Sequence, residues 1–312
     1  MNGSGRAGAL ATPEFFEEAG QDRVPSSGPL SVSVPGAVAA WADALERFGT
    51  ISLSEALAPA IGYAREGFPV STRLASDIAG GSRNLNEPAR GVFTAGGKPP
   101  AVGSLLKNPA LAETLELIAR EGKHGFYHGV PAVAIARFLE SEGGYLRAPD
   151  FAAHNTTWTS PLEGPYVDRR ILVLPPNTQG IAQLEMMAMA TEHDLASMGH
   201  NSAEYLHTLV ELKKLAFADR DRWVADPEHA DIPIDDLLDP EYLRARATMV
   251  GSSAAEHVLS GIQGVVAIAE SNGDADDAGD TVYLTAVDQW GNGVSWIQSL
   301  FGSFGSGLLE PE

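Results

Sequence analysis

Apolar residues in the first half of the chain recur with the period of an α-helix. In residues 34–49, VPGAVAAWADALERFG, five of them fall on one face: Val38, Trp41, Ala42, Leu45 and Phe48. Such a stripe is typical of a helix that packs against a core. Pro35 suits the start of this helix and Gly49 suits its end.

A second helix is predicted over residues 52–68. Ser52 and Glu55 open it with the spacing of a capping box, whereas Pro59 is expected to kink it or end it early. Helical periods further along the chain predict five more helices, over about 108–122, 129–142, 179–192, 202–222 and 240–250.

The pattern also indicates where the chain is extended or irregular. Residues 169–176, RRILVLPP, form a short apolar run between charge and a proline pair, which predicts a buried strand. Residues 1–30 and 80–106 are rich in glycine and proline, and we expect them to be irregular connections.

The periodicity changes near the end of the chain. Residues 270–280, ESNGDADDAGD, are acidic and predict an exposed flexible loop. After them, 281–288 and 293–299 read as two strands around a turn, a β-hairpin. Because an isolated hairpin is marginally stable in water, we expect a sheet to begin here and to continue outside this sequence.

Composition and charge limit the kinds of protein that this sequence can be. With 44% hydrophobic residues among 312, the chain can bury a core of ordinary size. The formal net charge of −20 disfavours nucleic acid and anionic membranes as partners, and no apolar run reaches the roughly 18 residues of a membrane span. The absence of cysteine excludes disulfides and thiolate chemistry.

Thr281 is the first candidate for chemistry, because an acidic loop meets a strand there. If the chain is cut before it, the freed α-amine, with a pKa of about 8, can take the proton of its own hydroxyl. The alternative is an ordinary strand residue, since β-branched residues favour strands.

Three other patterns favour structural roles. His124 and His128 have the spacing of a helical metal pair, but the residues around them resemble a turn and no carboxylate completes the set. Residues 301–307, FGSFGSG, lack the spacing of a phosphate loop and predict instead a close backbone approach. Residues 216–227, AFADRDRWVADP, predict a structural charge network around Asp219, with a catalytic carboxylate as the alternative.

Six segments of the chain, in order, resemble the gamma-glutamyltranspeptidase family. They are VPGAVAAWADALERFG, LAPAIGYAREGFPVS, GFYHG, PPNTQGIAQLEMM, KKLAFADRDRWVADP and DTVYLTAVDQWGNGVSWIQS, spread over about residues 31–307. The resemblance implies an α+β fold, the αββα sandwich of N-terminal nucleophile hydrolases, incomplete in this sequence. It also implies a precursor that cuts itself and then transfers or hydrolyses gamma-glutamyl amides such as glutathione.

The resemblance assigns roles to particular residues. It places the cut between Asp280 and Thr281, so that 1–280 is large-subunit sequence and 281–312 opens the small subunit of a heterodimer. Thr281 would be the nucleophile and Ser299 a second hydroxyl that supports it. The implied partners are a small amide substrate and a water or amino-acid acceptor, and neither cofactor nor metal is implied.

The sequence also departs from the family pattern. Phe301 stands where typical members have an asparagine for the substrate amino group, and Ser4 stands where they have the arginine for its α-carboxylate, with Arg6 two residues on. These departures leave two alternatives open. One is an acylase or amidohydrolase with a non-glutamyl acyl group, and the other is a truncated or structural protein without catalysis.

The family's oxyanion segment, a glycine pair, would lie beyond the 32 residues that follow the expected cut. We therefore expect the sequence to be an internal fragment that lacks turnover by itself, because losing even one oxyanion donor costs about 3–4 kcal/mol. The compartment is left open between the cytoplasm and the periplasm or extracellular space, since the natural N-terminus is expected to lie upstream.

Overall fold

The computed structural model of the chain describes residues 1–262 and 281–311. The described residues divide into two compact units. The larger unit contains residues 3–157 and 281–311, and the smaller unit contains residues 1–2 and 158–262. Helices and strands are mixed, which confirms the α+β class. The predicted acidic loop lies outside the described residues.

The part of the larger unit that precedes residue 158 is mainly helical. Its helices are α1 (Pro13–Glu18), α2 (Ala37–Phe48), α3 (Leu53–Glu66), α4 (Thr72–Gly81), α5 (Glu87–Phe93), α6 (Pro109–Tyr127), α7 (Val130–Ser141) and α8 (Ala148–Ala152). Two short strands, β1 (Phe68–Pro69) and β2 (Leu105–Leu106), pair antiparallel. Phe151 and Ile118 are almost fully buried at the centre of the main apolar core.

The sequence predicts that Pro59 kinks α3 or ends it early, and the early end is wrong. The helix runs from Leu53 to Glu66 with Pro59 inside it. The capping box of Ser52 and Glu55 fixes its start as predicted, and α3 packs along α6. Packing and capping outweigh the missing backbone donor of one exposed proline.

Three other local expectations are also wrong. Residues 1–30 are not wholly irregular, since they contain the short helix α1. Residues 80–106 are more than a connection, since they contain α5, whose first turn is capped by Asn86: the Asn86 side-chain oxygen accepts from the backbone N–H of Ala89. The stretch around His124 is the last turn of α6 rather than a turn between helices, because the helix resumes after a single non-helical residue, Gly122. At the end of α2, Phe48 is 72% exposed although its position belongs to the apolar stripe.

The smaller unit joins a hairpin to four helices. They are β3 (Leu162–Tyr166), β4 (Arg169–Val173), α9 (Gly180–Ala190), α10 (Ala203–Trp223), α11 (Ile234–Leu237) and α12 (Pro240–Ala247). β3 and β4 pair antiparallel, with Leu162 opposite Val173. The strand predicted at 169–176 is present at Arg169–Val173, but its residues are exposed or half-buried, and α9 is the helix that it mainly contacts.

The predicted terminal hairpin is confirmed and belongs to the larger unit. β5 (Val282–Val287) and β6 (Gly293–Gln298) pair antiparallel, from Val282 opposite Gln298 to Val287 opposite Gly293. Among the described residues the sheets are three separate strand pairs. The four-layer sandwich and the subunit boundary after residue 280 therefore stay predictions.

None of the helices in the described part of the chain is long and apolar enough to cross a membrane. The same residues hold no group of three or more histidine or acidic side chains that could bind a metal ion.

Candidate functional site

Thr281 and Ser299 lie opposite each other at the open end of the hairpin. The last paired residues of the ladder are Val282 and Gln298, so the next residue outward on each strand falls within side-chain reach of the other. The two hydroxyl oxygens, Thr281 Oγ1 and Ser299 Oγ, are 3.0 Å apart and within hydrogen-bonding distance. Both residues are exposed. The structure thus brings together the two residues that the sequence singled out.

Ser299 also orders the backbone that follows it. Its Oγ accepts a hydrogen bond of 2.8 Å from the backbone N–H of Phe301. Phe301 has φ 71°, in the left-handed region that non-glycine residues rarely adopt, and its side chain is 65% exposed. The serine hydroxyl therefore contacts the threonine hydroxyl and supports a strained backbone turn beside it.

The opposite end of the hairpin is closed by a side-chain cap. One carboxylate oxygen of Asp288 accepts from the backbone N–H groups of Trp290 and Asn292, each at 2.9 Å. Its other oxygen accepts from the Asn292 side-chain amide at 2.7 Å. The Asn292 side-chain hydrogen bond is the largest of the contacts that lower the pKa of Asp288. Gly291 has φ 87°, which allows the tight turn.

The glycine-rich residues after Ser299 make the close backbone approach that their sequence predicts. A side chain at Gly307 would meet the carbonyl oxygen of Asn84 at 2.2 Å. The carbonyl oxygen of Gly307 accepts a hydrogen bond from the backbone N–H of Asn86 at 2.9 Å. The ring of Phe304 packs edge-on against Phe93 with centroids 5.2 Å apart. These contacts fix the chain that leaves the site.

The remaining residues named by the resemblance lie elsewhere or are not described. Ser4 and Arg6 are exposed residues near the start of the larger unit. The carbonyl of Arg6 accepts from the backbone N–H of Val34 at 2.9 Å. Asp280, on the other side of the expected cut, lies outside the described residues. The cleavage position therefore stays a prediction.

The histidine pair has no third metal ligand within the described ranges. The rings of His124 and His128 stack with centroids 4.7 Å apart on the last turn of α6. The interpretation of these histidines as surface or structural residues stays a prediction.

Asp219 takes the structural role that the sequence favoured for it. It is buried, and its carboxylate accepts from the Tyr242 hydroxyl at 2.7 Å and from the Gly261 N–H at 3.0 Å. The guanidinium of Arg246 lies 3.3 Å away. These bonds tie α10, α12 and residue 261 together.

Sequence reasoning missed the buried carboxyl group of Glu185. This residue of α9 is fully buried, and neither side-chain oxygen has a hydrogen-bond partner. Burial raises its pKa to about 9, and the nearby charge of Asp219 adds to the rise. The only sequence indication of a buried carboxyl group was a single acidic residue in the apolar run IAQLEMM. A helix with one exposed face would give the same pattern.

Comparison with known proteins shows which family this chain resembles over its whole length. The family model described as gamma-glutamyltranspeptidase matches residues 1–312. The chain is 36% identical over 317 residues to the glutathione hydrolase-like YwrD proenzyme of Bacillus subtilis, covering 100% of this chain and 57% of that protein. It is 32% identical over 313 residues to the acylase ACY 1 proenzyme of Pseudomonas sp. strain SE83, covering 96% and 54%.

A solved structure is also similar to this chain over nearly its whole length. The chain superposes on cephalosporin acylase from Bacillus halodurans with a TM-score of 0.87 at 31% identity, over 99% of this chain and 56% of that one. The chain therefore spans about half the length of the relatives that it matches.

Proposed function

Because the chain belongs to the gamma-glutamyltranspeptidase family, we propose that it is part of a self-processing amide hydrolase or acyltransferase whose nucleophile is Thr281. The observation that carries this proposal is the 3.0 Å contact between the hydroxyls of Thr281 and Ser299 at the first residue of the hairpin. The proenzyme names of the relatives support a processed, two-subunit form.

The first step would be cleavage of the chain. The hydroxyl oxygen of Thr281 attacks the carbonyl carbon of Asp280, and the peptide C–N bond breaks as an ester bond forms. Water then hydrolyses the ester, which leaves a carboxylate on Asp280 and a free α-amine on Thr281. Ser299 would orient that hydroxyl through the 3.0 Å contact, and the proton that the oxygen loses goes to the departing α-nitrogen of Thr281.

The second step would repeat the chemistry on a small amide. The new α-amine takes the proton of the Thr281 hydroxyl, and the oxygen attacks the amide carbonyl of the substrate. The leaving amine departs with that proton, and an acyl ester remains on the threonine. Water or an amino acid then accepts the acyl group and restores the enzyme.

Our first candidate for the acyl group is gamma-glutamyl, with a glutathione-like donor. Glutathione hydrolase proenzymes among the relatives support it, including that of Escherichia coli at 30% identity. The second candidate is a non-glutamyl acyl group. Phe301 favours it, because a large apolar side chain, 65% exposed, stands two residues from Ser299, where it offers no polar group to a substrate amine.

Adduct mapping tests the proposed nucleophile. The processed protein is incubated with gamma-glutamyl and glutaryl anilides, quenched in acid and digested. We expect an acyl adduct on the peptide that begins with Thr281, and none in Thr281→Ala. A larger acylated fraction with the gamma-glutamyl donor supports the first candidate, and a larger acylated fraction with the glutaryl donor supports the second. An adduct on another residue would refute the nucleophile assignment.

A further inference from the structure

A tryptophan of the helical part contacts the strand that leads into the site. The indole N–H of Trp41, on α2, donates to the side-chain oxygen of Gln298 with a distance of 3.0 Å. Gln298 directly precedes Ser299, and its partner across the ladder is Val282, the residue after Thr281. The bond therefore holds β6 one residue away from the hydroxyl pair.

Within residues 1–262 and 281–311, little other burial holds the hairpin in place. All six residues of β5 are exposed, and β6 has one half-buried residue, Trp296. The indole N–H of Trp296 also approaches the Gln298 oxygen, but at 3.4 Å, beyond the usual length of such a bond. A two-stranded sheet is only marginally stable on its own. The hydrogen bond from Trp41 on α2 therefore contributes strongly to holding the Gln298 end of the hairpin in place.

The helix that carries the indole donor, α2, is held in place by several contacts with the rest of the larger unit. Trp41 is half-buried against the main core, and α2 is fixed on both sides of it. The Tyr127 hydroxyl donates to the carbonyl of Pro35 and accepts from the N–H of Ala39. One turn beyond Ala39, the Asp43 carboxylate forms an ion pair with the Lys123 ammonium and accepts a hydrogen bond from the Thr156 hydroxyl.

The chain is also anchored on the other side of Ser299. Phe304 packs on Phe93, and a side chain at Gly81 would meet the Phe304 ring at 2.7 Å, so the ring lies directly on α4. Ser299 therefore lies in a short segment that is held at Gln298 by a hydrogen bond and at Phe304 by packing.

We propose that Trp41 is a positioning residue for the hydroxyl pair: its indole N–H fixes Gln298, and thereby sets the separation of Ser299 from Thr281. This inference rests on the proposed function, since the pair matters only if Thr281 is the nucleophile. The rate of such an attack is sensitive to displacement, and a shift of about 1 Å can cost about 100-fold.

A double-mutant cycle tests the proposal. Trp41→Phe keeps an aromatic ring and removes the donor, and Gln298→Met keeps the side-chain length and removes the acceptor. We expect each variant to cleave itself roughly 5- to 10-fold more slowly than the wild type, the loss of about one hydrogen bond. The double variant should be no slower than either single variant, because both changes remove the same bond. Trp290→Phe, at an indole that is 78% exposed, is the matched control and should keep the wild-type rate.

Amide hydrogen exchange gives a readout that does not need the chemistry. In Trp41→Phe, exchange should become faster in residues 281–299 and stay unchanged in α2. Wild-type exchange and rate in Trp41→Phe would overturn the proposal, and so would a double variant slowed by the product of the two single effects. A wild-type chain that does not cleave itself would refute the proposed function instead, and the exchange pattern alone would then decide whether Trp41 holds the hairpin.

Discussion

At the scale of single residues, the sequence locates the hydroxyl pair but not its surroundings. Thr281 begins a run of β-branched and aromatic residues, and the family resemblance singles out Ser299; in the structure the five-residue turn at 288–292 brings position 299 opposite Thr281. The 3.0 Å contact therefore follows from strand register. The bond from Trp41 joins residues 257 positions apart, and no local pattern predicts such a pairing.

Replacement of Ser299 should weaken the site without unfolding the chain. Ser299→Ala removes the oxygen 3.0 Å from the threonine hydroxyl and the acceptor for the Phe301 N–H. We expect self-cleavage to slow by about 10-fold or more, as for loss of a hydrogen bond to the reacting group. The rate of self-cleavage is measured by intact-mass spectrometry at successive times. Ser303→Ala, at a nearby exposed serine, should keep the wild-type rate, and equal rates in both variants would exclude a supporting role for Ser299.

Glu185 should make the stability of the fold depend on pH. Its ordinary pKa is 4.5, and burial raises the folded-state value to about 9. The folded chain therefore binds this proton more tightly than the unfolded chain, and its stabilising contribution, complete below pH 4.5, is lost as the pH rises towards 9.

Glu185→Gln removes that titration. Between pH 5 and 9 we expect the wild type to lose at least about 1 kcal/mol more unfolding free energy than the variant, measured by urea unfolding. Glu192→Gln, at an exposed glutamate just after α9, should follow the wild type. Parallel pH profiles for the wild type and Glu185→Gln would show that Glu185 is charged in the folded state.

At the scale of elements, period and capping residues predict most helices and the hairpin. They fail where long-range packing decides. α3 continues through Pro59 because it packs along α6, and α5 forms within a glycine- and proline-rich stretch because Asn86 caps it. Asn86 also donates to the carbonyl of Leu309, far along the chain, which no local pattern could indicate.

The turn cap at Asp288 should govern the order of the hairpin. Asp288→Ala removes the acceptor for three N–H groups, from Trp290 and Asn292. Asp288→Asn keeps an oxygen for the two backbone donors. We expect amide exchange over 282–298 at pH 7 to be fastest in the alanine variant and intermediate in the asparagine variant. Equal exchange in the wild type and both variants would mean that strand pairing alone maintains the turn.

At the scale of the whole molecule, the family follows from the sequence, whereas the sandwich remains a prediction. Six short segments in the right order identify the relatives, and the match covers residues 1–312. Within the described residues the strands form three separate pairs, and the exposed hairpin carries apolar side chains such as Ile297, 60% exposed. In the predicted sandwich, these apolar side chains would pack against a neighbouring layer.

The measurement that tests the central claim most directly is the intact mass of the purified chain after long incubation, beside Thr281→Ala. The account predicts two pieces that meet between Asp280 and Thr281, with the second piece beginning at the threonine, and a single uncut mass for the variant. One uncut mass for both proteins, or the same cut in Thr281→Ala, would contradict the account and leave Thr281 an ordinary strand residue.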